Sequence, residues 1–486
     1  MTRTDKKILS AAVLSIIACS LWTVLAITNP YNIKIEVRLL GSLVALITVA
    51  PIIHWITFTK RTQIPYLGLL GVFLLITHAS AAVVAPAGYS GAFRFFLSSD
   101  SYIEPLILVL TSFTITCLTV WASKTITVRR PALFASIAHR LNSRIVVLFA
   151  LPIMILFYYL IVQRGLFKPL AQPMMAVHDF ILILSMLISL QRSERSQIKA
   201  LFWGALLPVD MTINSGIFSG FLADLLRYGL YFGLSYIMVR RKVPVWIILL
   251  IPLLFIVLYP VKDSVRDQFV NFRENRSVSL AKVVTFGEAT INRLSELDVS
   301  NLKAEFDGAF HRLMLVQTTA IVMIDVPDRH QHLKGETYAP LVTKFVPRIL
   351  WPGKPAADSN TWAREYGYLA PDNFDTAYRL PMHTEMYLNF GWYGVLVVSA
   401  VLGILISLAK SFFVNPRSDL VTLASAILVS YPFFWPGATF EILFGGAFVQ
   451  LVSLIIFLGL FNLLAPRFTA RRGTPLSRVG RDHAAY

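Results

Sequence analysis

The chain has 486 residues, 56% of them hydrophobic and only 15% charged, with a mean hydropathy of +0.64. Soluble domains sit near about 45–50% apolar and about 25% charged, so the composition excludes an ordinary soluble enzyme or binding module. The formal charge of +17 lies mainly in short loops between apolar runs, which argues against nucleic-acid binding, and two cysteines, Cys19 and Cys117, cannot frame a disulfide scaffold or a metal site.

A helix needs about 20 apolar residues to cross a bilayer. Runs of that kind fall at 8–28, 37–58, 64–86, 103–123, 145–163, 175–191, 199–217, 221–239, 243–261, 390–409, 419–436 and 439–464. The pattern predicts an all-α polytopic membrane protein of about twelve transmembrane helices. The first run follows Arg3, Lys6 and Lys7 but is longer than a signal-peptide core, so it reads as a retained helix. The seventh and eighth runs are the weakest, because they carry Asp210, Asp224 and Arg227.

Counting basic residues fixes the expected orientation. Short loops on the side of the termini hold 23 Lys and Arg, and those on the other face hold only Lys34, Arg94, Arg164 and Lys168. The positive-inside rule then puts both termini in the cytoplasm. The chain divides into an N-terminal membrane bundle of about nine spans (1–261), a large extracytoplasmic loop (262–389), C-terminal spans (390–464) and a basic cytoplasmic tail (465–486).

No segment of the large loop is apolar enough to span, and its charges nearly balance. Ile291, Leu294 and Leu297 share a helical spacing, as do Leu313, Val316 and Ala320, so the loop is expected to contain short amphipathic helices. Such helices either pack the loop onto the membrane domain or form a lid over a cavity.

The second half of the loop carries the denser chemistry. Pro347, Pro352 and Pro355 forbid a continuous helix across 347–355. Trp351 suits the membrane interface. Arg348 and Lys354 flank it, with Lys344 and Arg379 near in sequence. Guanidinium forks and ammonium charges at the headgroup level suit a diphosphate; equally, they suit snorkelling anchors for phospholipid. His383 and Glu385 precede the tenth run two residues apart, a spacing that does not share one helical face. Glu385 is a general-base candidate or, alternatively, an acid placed to favour a helix dipole.

Ionisable groups inside spans are costly and therefore functional candidates. His54, His78, His178 with Asp179, Asp210, Asp224 with Arg227, and Glu441 fall in or near apolar runs. Asp224 and Arg227 can pair at i, i+3, whereas His178 and Asp179, being adjacent, are expected to point to different faces.

The two loop stretches resemble the bacterial oligosaccharide repeat-unit polymerases, the O-antigen polymerase (Wzy-like) family. The resemblance rests on Gly335, Thr337 and Tyr338, then Pro347, Arg348, Trp351, Pro352, Lys354 and Pro355, then Glu385, Tyr387, Asn389, Phe390, Gly391 and Gly394. It spans about 60 residues, and the layout of runs agrees with it. The family's mid-chain Ser-Gly-Ser-Arg-like turn has its nearest match at Asn214-Ser215-Gly216-Ile217-Phe218, which lacks the arginine; Arg227 is the candidate replacement.

By this resemblance the fold is GT-C-like. The protein is an inner-membrane glycosyltransferase acting on undecaprenyl-diphosphate-linked oligosaccharides at the outer face, making O-antigen, capsule or exopolysaccharide. Arg348, Lys354, Arg379 and Arg227 would hold the diphosphate, Tyr338 and Trp351 would pack on a sugar or the prenyl chain, and Glu385 or His383 would take the acceptor proton. Neither metal nor cofactor is expected. Partners would be the lipid-linked substrate, membrane lipid, a chain-length regulator and a flippase. The rival readings are an O-antigen ligase-type transferase, a polysaccharide or lipid transporter, an exosortase-type protease (for which neither cysteine is well placed) and a structural subunit of an export complex.

Overall fold

The computed structural model describes residues 33–58, 63–84, 88–90, 95–126, 128, 145–191, 194–214, 223–242, 261, 280–295, 314–344, 346, 351, 360–373, 378, 380–413, 419–434, 437 and 439–464. The described residues are almost wholly helical. The main helices are α1 (Ile35–Phe58), α2 (Tyr66–Leu74), α3 (Ile103–Ala122), α4 (Leu151–Tyr158), α5 (Ala171–Leu190), α6 (Leu207–Ile213), α7 (Ala223–Arg240), α8 (Leu280–Ser295), α9 (Val316–Asp325), α10 (Met382–Phe412), α11 (Leu420–Phe434) and α12 (Gly446–Leu464). A three-residue antiparallel hairpin, β1 (Gly88–Ser90) on β2 (Phe95–Leu97), aligns Gly88 with Leu97.

Among the described residues, six stretches are long and apolar enough to cross a membrane: Ile35–Thr57, Ser99–Thr125, Val146–Gln163, Ala171–Leu190, Met382–Phe412 and Leu443–Leu463. Tyr66–Ala79, Val316–Asp325 and Leu420–Phe434 are shorter apolar helices. What these helices leave exposed is itself apolar: Leu39, Leu43 and Leu46 on α1, Ile153, Leu156 and Phe157 on α4, Val397, Val401 and Ile404 on α10. A helix that is hydrophobic on its outward face as well as its inward one is written for lipid. The first and ninth apolar runs, 8–28 and 243–261, lie almost entirely outside the described residues.

The chain divides into two compact units. Unit 1 comprises Met1–Arg129, Arg312–Val414 and Pro432–Ala447; unit 2 comprises Arg130–His311, Asn415–Tyr431 and Phe448–Tyr486. The large loop is therefore shared, its first part belonging to unit 2 and its second to unit 1.

In unit 1, α3 and α10 pack closely. In lipid the apolar effect does not press helices together, so contact relies on small residues and interhelical hydrogen bonds. Ser112 and Ser399 bond side chain to side chain at 2.8 Å, and Thr116 donates to the Ser399 carbonyl at 3.2 Å. A Cβ on Gly403 would stand 2.6 Å from that of Thr119, so only glycine permits this approach.

The loop helices form, with one correction to the expected face. In α8 it is Phe286 that is buried, against Val261, Met211 and Leu225, while Ile291 is 68% exposed. Leu294 sits near the end of the helix, and Leu297 lies outside the described residues. The ring that packs on Val261 is thus that of Phe286, a residue outside the aliphatic spacing. In α9 eight of ten residues are buried, so it is a core element. Its C-terminal end carries a folded part of the loop: the Tyr368 hydroxyl donates to the buried Asp325 carboxylate at 2.8 Å, and Trp362 meets Tyr366, Tyr368 and Tyr378 edge-on.

Candidate functional site

The first half of the unit 1 site is built on a break in α10. Gly391 has φ 60° and ψ −149°, a conformation essentially reserved for glycine. Any Cβ there would also stand 3.2 Å from the His332 ring. A break deprives the carbonyls just before it of their usual helical donors, and buried carbonyls must find others. Leu388 and Asn389 find them in the loop: Leu333 N–H donates to Leu388 O at 3.1 Å and Lys334 N–H to Asn389 O at 2.9 Å.

The Asn389 side chain completes the junction. Its carbonyl accepts from Gly335 N–H at 3.0 Å, and its amide donates to Thr337 Oγ1 at 2.7 Å and to Glu385 O at 2.8 Å. Gly335 has φ 98°, and its missing Cβ leaves room for Phe390, on which Tyr338 stacks at 6.1 Å. The two sequence boxes, Gly335–Tyr338 and Glu385–Gly394, are therefore one structural object. Each residue type in them has a local reason.

Glu385 is fully buried inside this object. One carboxylate oxygen accepts the Phe440 N–H, where the chain enters the π-helical turn Glu441–Gly445. The other, Oε1, has no hydrogen-bond partner, and neither have the Tyr338 hydroxyl and Thr439 Oγ1, although all three are buried. Thr439 adjoins Phe440, and Tyr338 stands edge-on to Phe440 at 5.8 Å. Burial and the neighbouring Glu385 carboxyl push the Tyr338 phenol far above its ordinary range, so it stays protonated and remains a donor. A buried polar atom without a partner calls for an explanation, and these three all belong to unit 1.

His383, two residues earlier, turns elsewhere. Its Nε2 lies 2.8 Å from Nε2 of His78 on the π turn Leu75–Ala79 that continues α2. Thr77 donates its hydroxyl to Phe73 O at 2.9 Å, so its oxygen accepts from His78 Nδ1 at 2.8 Å. In neutral rings that order leaves His78 Nε2 bare, to accept a proton shared from His383. Thr319, on α9, closes the cluster, 3.3 Å from His78 and 2.8 Å from Thr384.

Unit 2 holds a second buried cluster. His178 is fully buried on α5, with Nδ1 3.0 Å from Asp179 Oδ1 and Nε2 2.8 Å from Asp210 Oδ1 on α6. Asp179 also receives Arg227 at 3.3 Å and Tyr231 at 3.0 Å, both from α7. Asp210 receives Tyr228 and Asn214, each at 2.8 Å. Arg227 pairs with Asp224 at 3.1 Å, the i, i+3 contact expected from sequence. The expectation that His178 and Asp179 diverge is corrected: partners arriving from α6 and α7 draw both side chains to one place.

Of the residues singled out in the sequence, Glu385, Tyr338 and the Gly/Asn positions meet in unit 1, with His383 beside them but facing His78. Trp351 is 41% exposed. Arg227 belongs to unit 2, where its guanidinium is engaged by Asp179 and Asp224. Arg348, Lys354 and Arg379 lie outside the described residues. Sequence reasoning missed Thr319, Thr439 and Phe440 as site components. Phe440 is 55 positions from its partner Glu385, and no local pattern links them.

The helices and their apolar exposed faces define a membrane-embedded α-helical protein. Residues 124–465 match the model of a domain of unknown function, DUF8712, and the chain belongs to that family. No curated protein and no solved structure matches it. The matched region contains Tyr338, His383, Glu385 and all of the unit 2 cluster; His78 precedes it.

Proposed function

We propose that the protein polymerises undecaprenyl-diphosphate-linked oligosaccharide repeat units into a surface polysaccharide. It does so as a membrane glycosyltransferase of about twelve spans in the bacterial inner membrane, with both termini cytoplasmic and residues 262–389 at the outer face. The observation that carries the reading is the junction of the two sequence boxes around Glu385. Its second carboxylate oxygen, the Tyr338 hydroxyl and the Thr439 hydroxyl are buried without partners, which suits a sugar hydroxyl entering between them.

In this reading the incoming acceptor hydroxyl gives its proton to Glu385 while its oxygen attacks the anomeric carbon of the growing chain. The bond from that carbon to the carrier diphosphate breaks. Arg348, Lys354 and Arg379 hold the departing diphosphate and stabilise its charge. Tyr338 orients the hydroxyl as a donor, and His383 steadies the start of α10 through His78. Arg227, already bound by two carboxylates, contributes least.

A transporter of polysaccharide or lipid is the second reading, favoured by the buried charges of unit 2, since such groups within spans often mark ion or substrate paths. Deletion followed by complementation separates the two. A polymerase deletion strain accumulates single lipid-linked units facing outward, and Arg348→Ala fails to restore polymer where Arg348→Lys restores part. Normal-length surface glycan in the deletion strain would overturn the polymerase reading. Units trapped on the cytoplasmic side would favour transport.

A further inference from the structure

We infer that unit 2 holds a bound proton on His178 as a built part of its charge cluster, independent of whatever chemistry the Glu385 site performs. Both ring nitrogens of a fully buried imidazole face carboxylate oxygens, Asp179 Oδ1 at 3.0 Å and Asp210 Oδ1 at 2.8 Å. A neutral imidazole has one N–H and one lone pair, so it would present that lone pair to an anion. Only the doubly protonated ring donates to both.

The remaining partners point the same way. Asp210 already receives N–H from Asn214 and O–H from Tyr228, and Asp179 receives Tyr231 and Arg227. Both are therefore furnished as ionised acceptors. The groups facing His178 from neighbouring helices are Tyr158 of α4 at 4.4 Å between ring centroids, Asp210 of α6, and Arg227, Tyr228 and Tyr231 of α7. Asp179 and Asp210 carry two negative charges, and Arg227 supplies one positive charge. Among the described residues, the second comes only from His178. Asp224, partly exposed, sits outside this quartet with the far end of Arg227.

A proton held this way acts as a clasp: it ties α5 to α6, while Asp179 ties α5 to α7. Removing it would leave one buried carboxylate without a counter-charge, which is strongly unfavourable. The cluster therefore makes the packing of unit 2 depend on proton occupancy.

The test uses the full-length protein in lipid nanodiscs. With ¹⁵N-labelled histidine, the His178 signals, identified by their loss in a variant, should report two protonated ring nitrogens at neutral pH. His178→Gln should lower the Tm by on the order of 10 °C. The double variant His178→Gln with Asp210→Asn, which restores the charge balance, should recover at least half of that loss. A bare ring nitrogen at neutral pH would overturn the inference, as would a double variant no more stable than His178→Gln. If His178→Gln alone does not accumulate, the spectrum of the unaltered protein and the stability of the double variant decide. None of these readouts measures polymer, so their failure and that of the polymerase reading are distinguishable.

Discussion

Unit 1 and unit 2 both bury carboxylates within helices, but they surround them in opposite ways. Around Asp179 and Asp210 every carboxylate oxygen has at least one donor, drawn from α5, α7 and Asn214 at the end of α6. Around Glu385 one oxygen is bonded and the other, like the Tyr338 and Thr439 hydroxyls of the same unit, has no partner. Asn214 Oδ1 and Arg227 Nε also lack partners in unit 2, but its carboxylates are fully served, whereas Glu385 keeps one oxygen open. The difference sets the unit 2 carboxylates apart from Glu385 on one physical criterion.

The comparison can be broken by substitution. The largest expected effect is Glu385→Gln, which keeps the bond to Phe440 N–H but cannot take a proton. Polymer formation in complemented cells should fall by about 10²- to 10⁴-fold, while thermal stability of the purified protein is unchanged or raised. A large stability loss with activity retained would reverse the roles assigned to the two units. Next comes Arg227→Gln, which strips Asp179 and Asp224 of their buried cation. It should cost about 3–5 kcal/mol of stability, measured by denaturation.

Smaller effects sharpen the boundary. Gly391→Ala forces a side chain into a backbone conformation that costs on the order of 1–3 kcal/mol. Amide hydrogen exchange should rise at Leu333 and Lys334, whose bonds depend on the break, before it rises elsewhere. Ser399→Ala, which removes one interhelical bond between α3 and α10, should cost only about 0.6 kcal/mol. A larger cost would mean that this contact bears on the Glu385 site itself.

Much of the helical layout was legible in the sequence, because apolar length and period are local properties. α1, α3, α5 and α10 begin or end within a few residues of the runs from which they were expected. The two boxes were legible as objects but not as partners. Gly335 and Asn389 are 54 positions apart, and the need for a foreign N–H arises only once Gly391 breaks the helix. His78 and His383 lay 305 positions apart and showed no sign of one another. The unit 2 cluster was noted residue by residue, yet its unity depends on α5, α6 and α7 converging, which periodicity does not encode. On α8 the aliphatic spacing pointed to Ile291, which is exposed, while the buried ring is that of Phe286.

The discontinuity at Gly391 has a mechanical consequence. It splits α10 into a short bracket, fastened to 333–337 by main-chain bonds, and a long shaft whose outward surface is apolar. The Glu385 carboxyl therefore rides on the bracket, on the loop's side of the break.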